Sequence, residues 1–278
     1  VIAAAGLREV WSNPRGRIGA IVLALLALAA ALGPMFLPDP AAQPDILAGS
    51  LPPGLGHPFG TDQLNRDVLA RVVTGARISL SVAVLAVALS ATVGAAVGLI
   101  AGYWGGAVDA LLMRFVDGAL AIPRLFLLLL ILAVWEHIPV IALILLIGAT
   151  GWLGTSRLVR AEVLRLREEA YIKAAEALGA RRRQIIFRHL LPNSLGPLLV
   201  ASTLGIGDVI LLEAGLSFLG LGIQPPTPSW GGMILDSKEV LVSAPWAGLF
   251  PGLAILITVL SVNLFGDALR DALDPRSA

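Results

Sequence analysis

The sequence predicts an all-α membrane protein with six transmembrane helices, and three observations carry that expectation. Of its 278 residues 57% are hydrophobic and only 14% charged, where a soluble globule carries about 25% charge. Mean hydropathy is +0.86, and several uncharged runs approach the ~20 residues that a helix needs to cross a bilayer. The basic residues are unevenly spread: nine of the twenty Lys and Arg fall between positions 157 and 192.

Taken in order, residues 1–17 are short and basic, and Asn13-Pro14 breaks any helix before the membrane. The run 18–37 is the first span. Its small residues before Gly33 resemble a signal-peptide cleavage region, but it is longer than a usual signal core and further spans follow. Residues 38–77 are rich in Pro, Gly and Asp and read as an external loop. From Ile78 to Trp104 there is no charge, and scattered glycines suit close helix packing; this is the second span, turned at Gly105-Gly106.

The third span has an uncharged stretch, Leu125 to Trp135, too short to cross alone. It borrows from 109–124, with Pro123 as a kink and with Arg114 and Asp117 spaced to pair on one face. Glu136-His137 is an outer turn, and Ile138–Ser156 is the fourth span. Leu195–Leu212 is the fifth, 216–245 a second external loop with a short helix near Met233–Val242, and Trp246–Phe265 the sixth. Trp230 and Trp246 are placed as interfacial anchors. The core of five further spans with their loops is thus 78–278. Fourteen of the twenty basic residues lie in the N-terminal segment, the 157–192 stretch and the tail, so the positive-inside rule puts both termini in the cytoplasm.

Composition also excludes chemistry. There is no cysteine, hence no disulfide, thiolate metal site or thiol nucleophile. His57, His137 and His189 lack the spacing of a zinc helix. The two lysines, Lys173 and Lys238, stand in no phosphate-binding loop, so any ATP hydrolysis belongs to another chain.

The 157–192 stretch holds the densest local signals. A short helix from Glu168 to Leu178 sets Tyr171, Ala175 and Leu178 on one face. Gly179 suits a left-handed cap. A second basic helix follows, Ala180–Leu191, with Ile186 and Leu190 on its apolar side, until Pro192 breaks it and Asn193 or Ser194 caps the next span. A solvated loop is the plain alternative, but Ala170, Ala174, Ala175 and Ala177 suit docking into a partner's groove.

The pattern Ala174-Ala175, Gly179, then Leu191-Pro192 resembles the "EAA" loop of ABC importer permeases, with Lys173 at the family's Glu position and His189 at its Ile position. The rest resembles the dipeptide/oligopeptide (and nickel) branch, specifically its second, "C"-type, permease. His57-Pro58-Phe59-Gly60-Thr61-Asp62 and Arg66-Asp67-Val68 match its external-loop signature, with Asn65 where glycine is usual. The blocks at 102–117, 189–193, 213–222, 225–231, 263–267 and 269–275 extend the match to the C-terminus.

The resemblance implies the type I ABC importer fold in a bacterial or archaeal cell membrane. It also implies a homologous partner permease, two cytoplasmic ATPases that bind the ATP and Mg, and an external substrate-binding protein; this chain itself holds no cofactor. Tyr171, Ala174, Ala175, Glu176, Gly179, Leu191 and Pro192 would couple to the ATPases. His57, Gly60, Thr61, Asp62, Arg66 and Asp67 form the external-loop motif, and Asp208, Glu213, Trp230 and Asn263 are candidates for the path or gate.

An intramembrane acid exposed to lipid costs roughly 2.5–3.5 kcal/mol, so Asp208 and Glu213 must face protein or water. Five residues apart, they sit about 140° apart on a helix and form no paired site. Asp208 reads either as a path residue that meets a cationic peptide end or as a partner of Arg114 or Arg124. Glu213 reads as structural, paired with one of those arginines or with a partner subunit. Two rivals remain: a proton-coupled secondary transporter using Asp208, and a structural membrane scaffold.

Overall fold

The computed structural model describes residues 9–42, 49–135 and 138–273; the expected outer turn at Glu136-His137 and the Asp274-Pro275 end of the last motif lie outside them. Besides single helical turns at 9–12, 33–35 and 238–240, the described residues form nine helices: α1 Pro14–Leu32, α2 Val68–Trp104, α3 Gly106–Leu120, α4 Arg124–Leu132, α5 Val140–Arg167, α6 Ala170–Ala177, α7 Arg182–Phe218, α8 Trp230–Ser237 and α9 Trp246–Leu273. Of these α1, α2, α5, α7 and α9 are long and apolar enough to cross a membrane, and the pair α3–α4, bent by 74°, makes a sixth, broken span. The six-span expectation therefore stands.

Helix boundaries follow local chemistry. The Asn13 side chain caps α1 through the Arg15 amide, with Pro14 in the first turn. Asp67 caps α2 by accepting from the Ala70 amide at 2.7 Å, so α2 begins ten residues before the expected Ile78, and 68–77 is helix. Gly105 and Gly106 both have positive φ and turn the chain into α3. Pro123 ends that half-span with a full break. Asp117 pairs with Arg157 of α5, and the expected pairing with Arg114 is corrected accordingly. α5 overruns Ser156 to Arg167, carrying the first part of the basic stretch as helix.

Pro192 does not break the chain, contrary to expectation. Proline lacks an N–H and crowds the carbonyl one turn back, but the preceding turns, Ile185–Leu190, are widened into a π-helix. Leu191 N–H reaches back five residues to the Ile186 carbonyl. Asn193 and Ser194 are not caps: their side chains donate to the His189 and Leu190 carbonyls at 2.6 and 2.8 Å. With these bonds made, one helix continues from Arg182 to Phe218.

The tightest seam is between α2 and α5. Gly94, Gly98 and Gly102 recur every fourth residue, and a Cβ on Gly98 would stand 2.6 Å from the Ser156 carbonyl. Small residues at this spacing let two backbones meet without side chains between them. α1 lies on α9 in the same way, Gly19 facing the Ser261 carbonyl. The larger apolar core joins α2, α4, α5, α7, α8 and α9; a second, smaller core (Leu99, Val159, Val163, Leu166, Ile172, Ile185, Leu190, Leu198) lies toward the basic end.

Candidate functional site

Three groups of predicted residues can be followed into space. The first is α6 and its flanks, at the basic end of the bundle. Ile172 is fully buried in the smaller core and pins the helix beneath α5 and α7. The opposite side is open: Tyr171 is 44% and Leu178 89% exposed, and Ala174 and Glu176 are exposed beside them. Gly179 has φ +80°. Its N–H bonds the Glu176 carbonyl and the Ala180 N–H the Ala175 carbonyl, the paired bonds that close a helix on a left-handed residue. Tyr171 lies against His189, ring centres 6.2 Å apart, so the helix also touches the π-helical turns that contain His189. Lys173 bonds Glu168 at 2.8 Å, and this ammonium holds the Glu168 carboxyl below the usual glutamate range.

The second group is the loop before α2. Asp62 is the hub: its Oδ1 accepts from the Leu64 and Arg66 amides at 2.9 and 3.0 Å. Its Oδ2 pairs with Arg66 at 2.7 Å and with Arg71. Both arginines also reach Asp236 on α8, at 3.2 and 3.0 Å. Two acids and two bases, three of them buried, thus clasp this loop to α8. Asn65 has φ +56°, which explains why asparagine serves where glycine is usual, since both tolerate that conformation. Gly60 leaves no room for a side chain: a Cβ there would stand 2.6 Å from both the Leu51 carbonyl and Trp246 Nε1. Thr61 Oγ1 accepts from the Leu51 amide, its carbonyl accepts from Trp246 Nε1, and His57 Nδ1 lies 2.8 Å from Asp67.

The third group separates. Glu213 is fully buried; Ser79 and Ser217 donate to it at 3.1 and 2.7 Å, so its partners are hydroxyls and the expected arginine pairing is corrected. Ser217 in turn accepts from the Ile223 amide, which folds back the chain after α7. Trp230, expected at an interface, is fully buried, its Nε1 donating to the Val72 carbonyl at 3.0 Å. Asn263 on α9 lies across from Gly207 of α7.

Asp208 alone of the four faces a cavity of about 370 Å³ between α2, α5 and α7, which Arg124 also lines. Arg124 is the first residue of α4, just past the break, and is held by Thr150 Oγ1 at 3.1 Å and the Ile147 carbonyl at 2.6 Å. The two charges attract across the cavity. Ser90, Thr155 and Ser202 add hydroxyls, and Val87, Leu158 and Val209 complete the wall with glycines and alanines.

Sequence reasoning missed Arg71, Asp236, Ser79 and Ser217 as functional partners. The four-residue recurrence of Gly94, Gly98 and Gly102 was a readable signal for the seam, whereas nothing near Asp236 announces its arginines.

A bundle of five long apolar helices and one broken span, with a short exposed helix at its basic end, is the architecture of a multi-pass membrane protein. Residues 94–278 match the family model described as "Binding-protein-dependent transport system inner membrane component", and the chain belongs to that family. It is 42% identical over 269 residues to the dipeptide transport system permease protein DppC of Alkalihalophilus pseudofirmus, covering 97% of this chain and 88% of that one. It is 43% identical over 272 residues to a putative peptide permease protein of Brucella suis (95% and 88% covered). The oligopeptide transport system permease protein OppC of Bacillus subtilis is 39% identical over 265 residues (95% and 87%).

Proposed function

We propose that this chain is the "C"-type permease subunit of an ATP-driven peptide importer. The observation that carries the reading is the family match, with peptide permeases similar along nearly the whole chain. The subunit pairs with a homologous permease in a bacterial inner membrane, basic end in the cytoplasm. Two ATPases there bind the ATP and Mg, and an external binding protein delivers the peptide. α6 is the coupling helix. Its open face (Tyr171, Ala174, Glu176, Leu178) enters an ATPase groove, and Ile172 passes the push to α5 and α7, whose ends it touches through the smaller core. Because cores are packed and not continuously deformable, that push tilts helices as rigid bodies between inward- and outward-open arrangements.

At the other end the charged clasp joins the 49–67 loop to α8 as one external cap. No step requires a catalytic residue in this chain. The proton-coupled alternative has no supporting observation: Asp208 faces a cavity shared with a cation, and the relatives are transport-system permeases.

The test is uptake of a labelled dipeptide by proteoliposomes containing the full complex. Ala175→Trp or Gly179→Val should abolish uptake with membrane insertion and subunit assembly retained. Full uptake in both variants, or uptake by this chain without any ATPase, overturns the reading.

A further inference from the structure

We infer that the Asp208–Arg124 cavity is a transient site for zwitterions, which reads the free amino and free carboxyl ends of a passing peptide. The inference rests on the peptide-importer reading and adds what the path recognises. The two charged groups come from different elements, Asp208 from α7 and Arg124 from the break between the half-spans α3 and α4. In secondary transporters, too, interrupted helices at a polar cavity supply substrate contacts.

The cavity is balanced in charge. A ligand carrying only a cation or only an anion satisfies one side group and meets like charge at the other. A molecule with a cation at one end and an anion at the other satisfies both. Two of the five N–H groups of Arg124 are tied to Thr150 and Ile147, which fixes the guanidinium plane and leaves it capacity for a carboxylate. The volume, about 370 Å³, lies within the ~300–1,000 Å³ range of small-ligand pockets. Around the charges the wall mixes small residues, including Gly151, Gly154 and Gly205, and hydroxyls with the aliphatic Val87, Leu158 and Val209, so it offers room for varied side chains and no further charge to select among them. The oppositely charged termini are the ionic groups that unmodified peptides of every sequence share.

The experiment is equilibrium binding of three radiolabelled ligands to the assembled transporter in nanodiscs without its external binding protein: alanyl-alanine, its N-acetyl form and its C-terminal amide. The wild type should hold the free dipeptide at least about tenfold tighter than either blocked form, roughly 1.4 kcal/mol. Asp208→Asn should remove the advantage over the N-acetyl form, which should bind the variant no more weakly than it binds the wild type because the like charge it meets is gone. Arg124→Gln should do the same for the amide. Should Arg124→Gln fail to assemble, the Asp208→Asn arm decides alone. Equal weakening of all three ligands would show a structural role, and equal affinity for blocked and free peptides, or undetectable binding to the wild type, would equally overturn the inference. Receptor-driven uptake by the same wild-type preparation separates the two levels. Uptake with no preference for free termini sinks only the zwitterion site, and no peptide uptake at all sinks the importer reading.

Discussion

Replacing Asp62 should loosen the clasp between the 49–67 loop and α8 in two measurable steps. Its Oδ2 carries the charge seen by Arg66 and Arg71, and its Oδ1 accepts two backbone amides. Asp62→Asn keeps the second function and removes the first, leaving two buried arginines with Asp236 alone. Removing one partner of a buried ion pair costs about 3–5 kcal/mol because a charge is left uncompensated, and we take about 3 because Asp236 is retained. Asp62→Ala also loses two hydrogen bonds at about 1 kcal/mol each, for a total near 5 kcal/mol. The readout is hydrogen exchange of the Asp62, Asn65 and Val68 amides, which bond the Arg66, Asp62 and Gly60 carbonyls within this loop. At 1.4 kcal/mol per factor of ten, their protection should fall about 100-fold in Asp62→Asn and several thousand-fold in Asp62→Ala, unless global unfolding sets a lower ceiling. Protection in Asp62→Ala within about threefold of wild type would refute the claim that these charges hold the loop to α8.

Other outcomes are equally specific. Gly98→Val places a branched side chain where the Ser156 carbonyl is 2.6 Å from any Cβ; it should cost about 3 kcal/mol or more and show as lost thermal stability in detergent. Trp230→Ala should cost about 3–5 kcal/mol and Trp230→Phe only about 1, the value of the bond to Val72, both read from unfolding midpoints. Gly179→Ala forces an alanine to φ +80° at about 1–2 kcal/mol; it should slow uptake more than it lowers assembly yield. The Glu168 carboxyl is held down by Lys173, so its contribution is present above the ordinary glutamate value and is lost as pH falls through the lower folded value. Lys173→Ala should return its titration midpoint upward, as followed by carbon NMR of labelled glutamate.

Much of the organisation was legible because it depends on local backbone rules. An apolar run long enough to span, a glycine placed for a left-handed cap, and a proline with a missing N–H each act within a few residues. Gly179 and the break at Pro123 accordingly fell where expected. Pro192 did not, because the π-helical turns and the two back-bonding side chains that rescue its neighbours' carbonyls act together, and sequence patterns score each residue separately. The sites were legible only in part. Asp208 could be singled out as an unexplained intramembrane acid, but its relation to Arg124, 84 positions earlier in the chain, could be raised only as one of several pairings.

By itself the sequence determined the number of spans, the position of the basic stretch, the short exposed helix and the residue types that end it. Tertiary structure alone decided which partners the buried polar groups took: Asp236 for two arginines, Ser79 and Ser217 for Glu213, and the Val72 carbonyl for Trp230. The reason is physical. In a span that is apolar on every side, the side chains do not mark which face meets protein and which meets lipid, so the pairing of distant polar groups is fixed only when the helices pack.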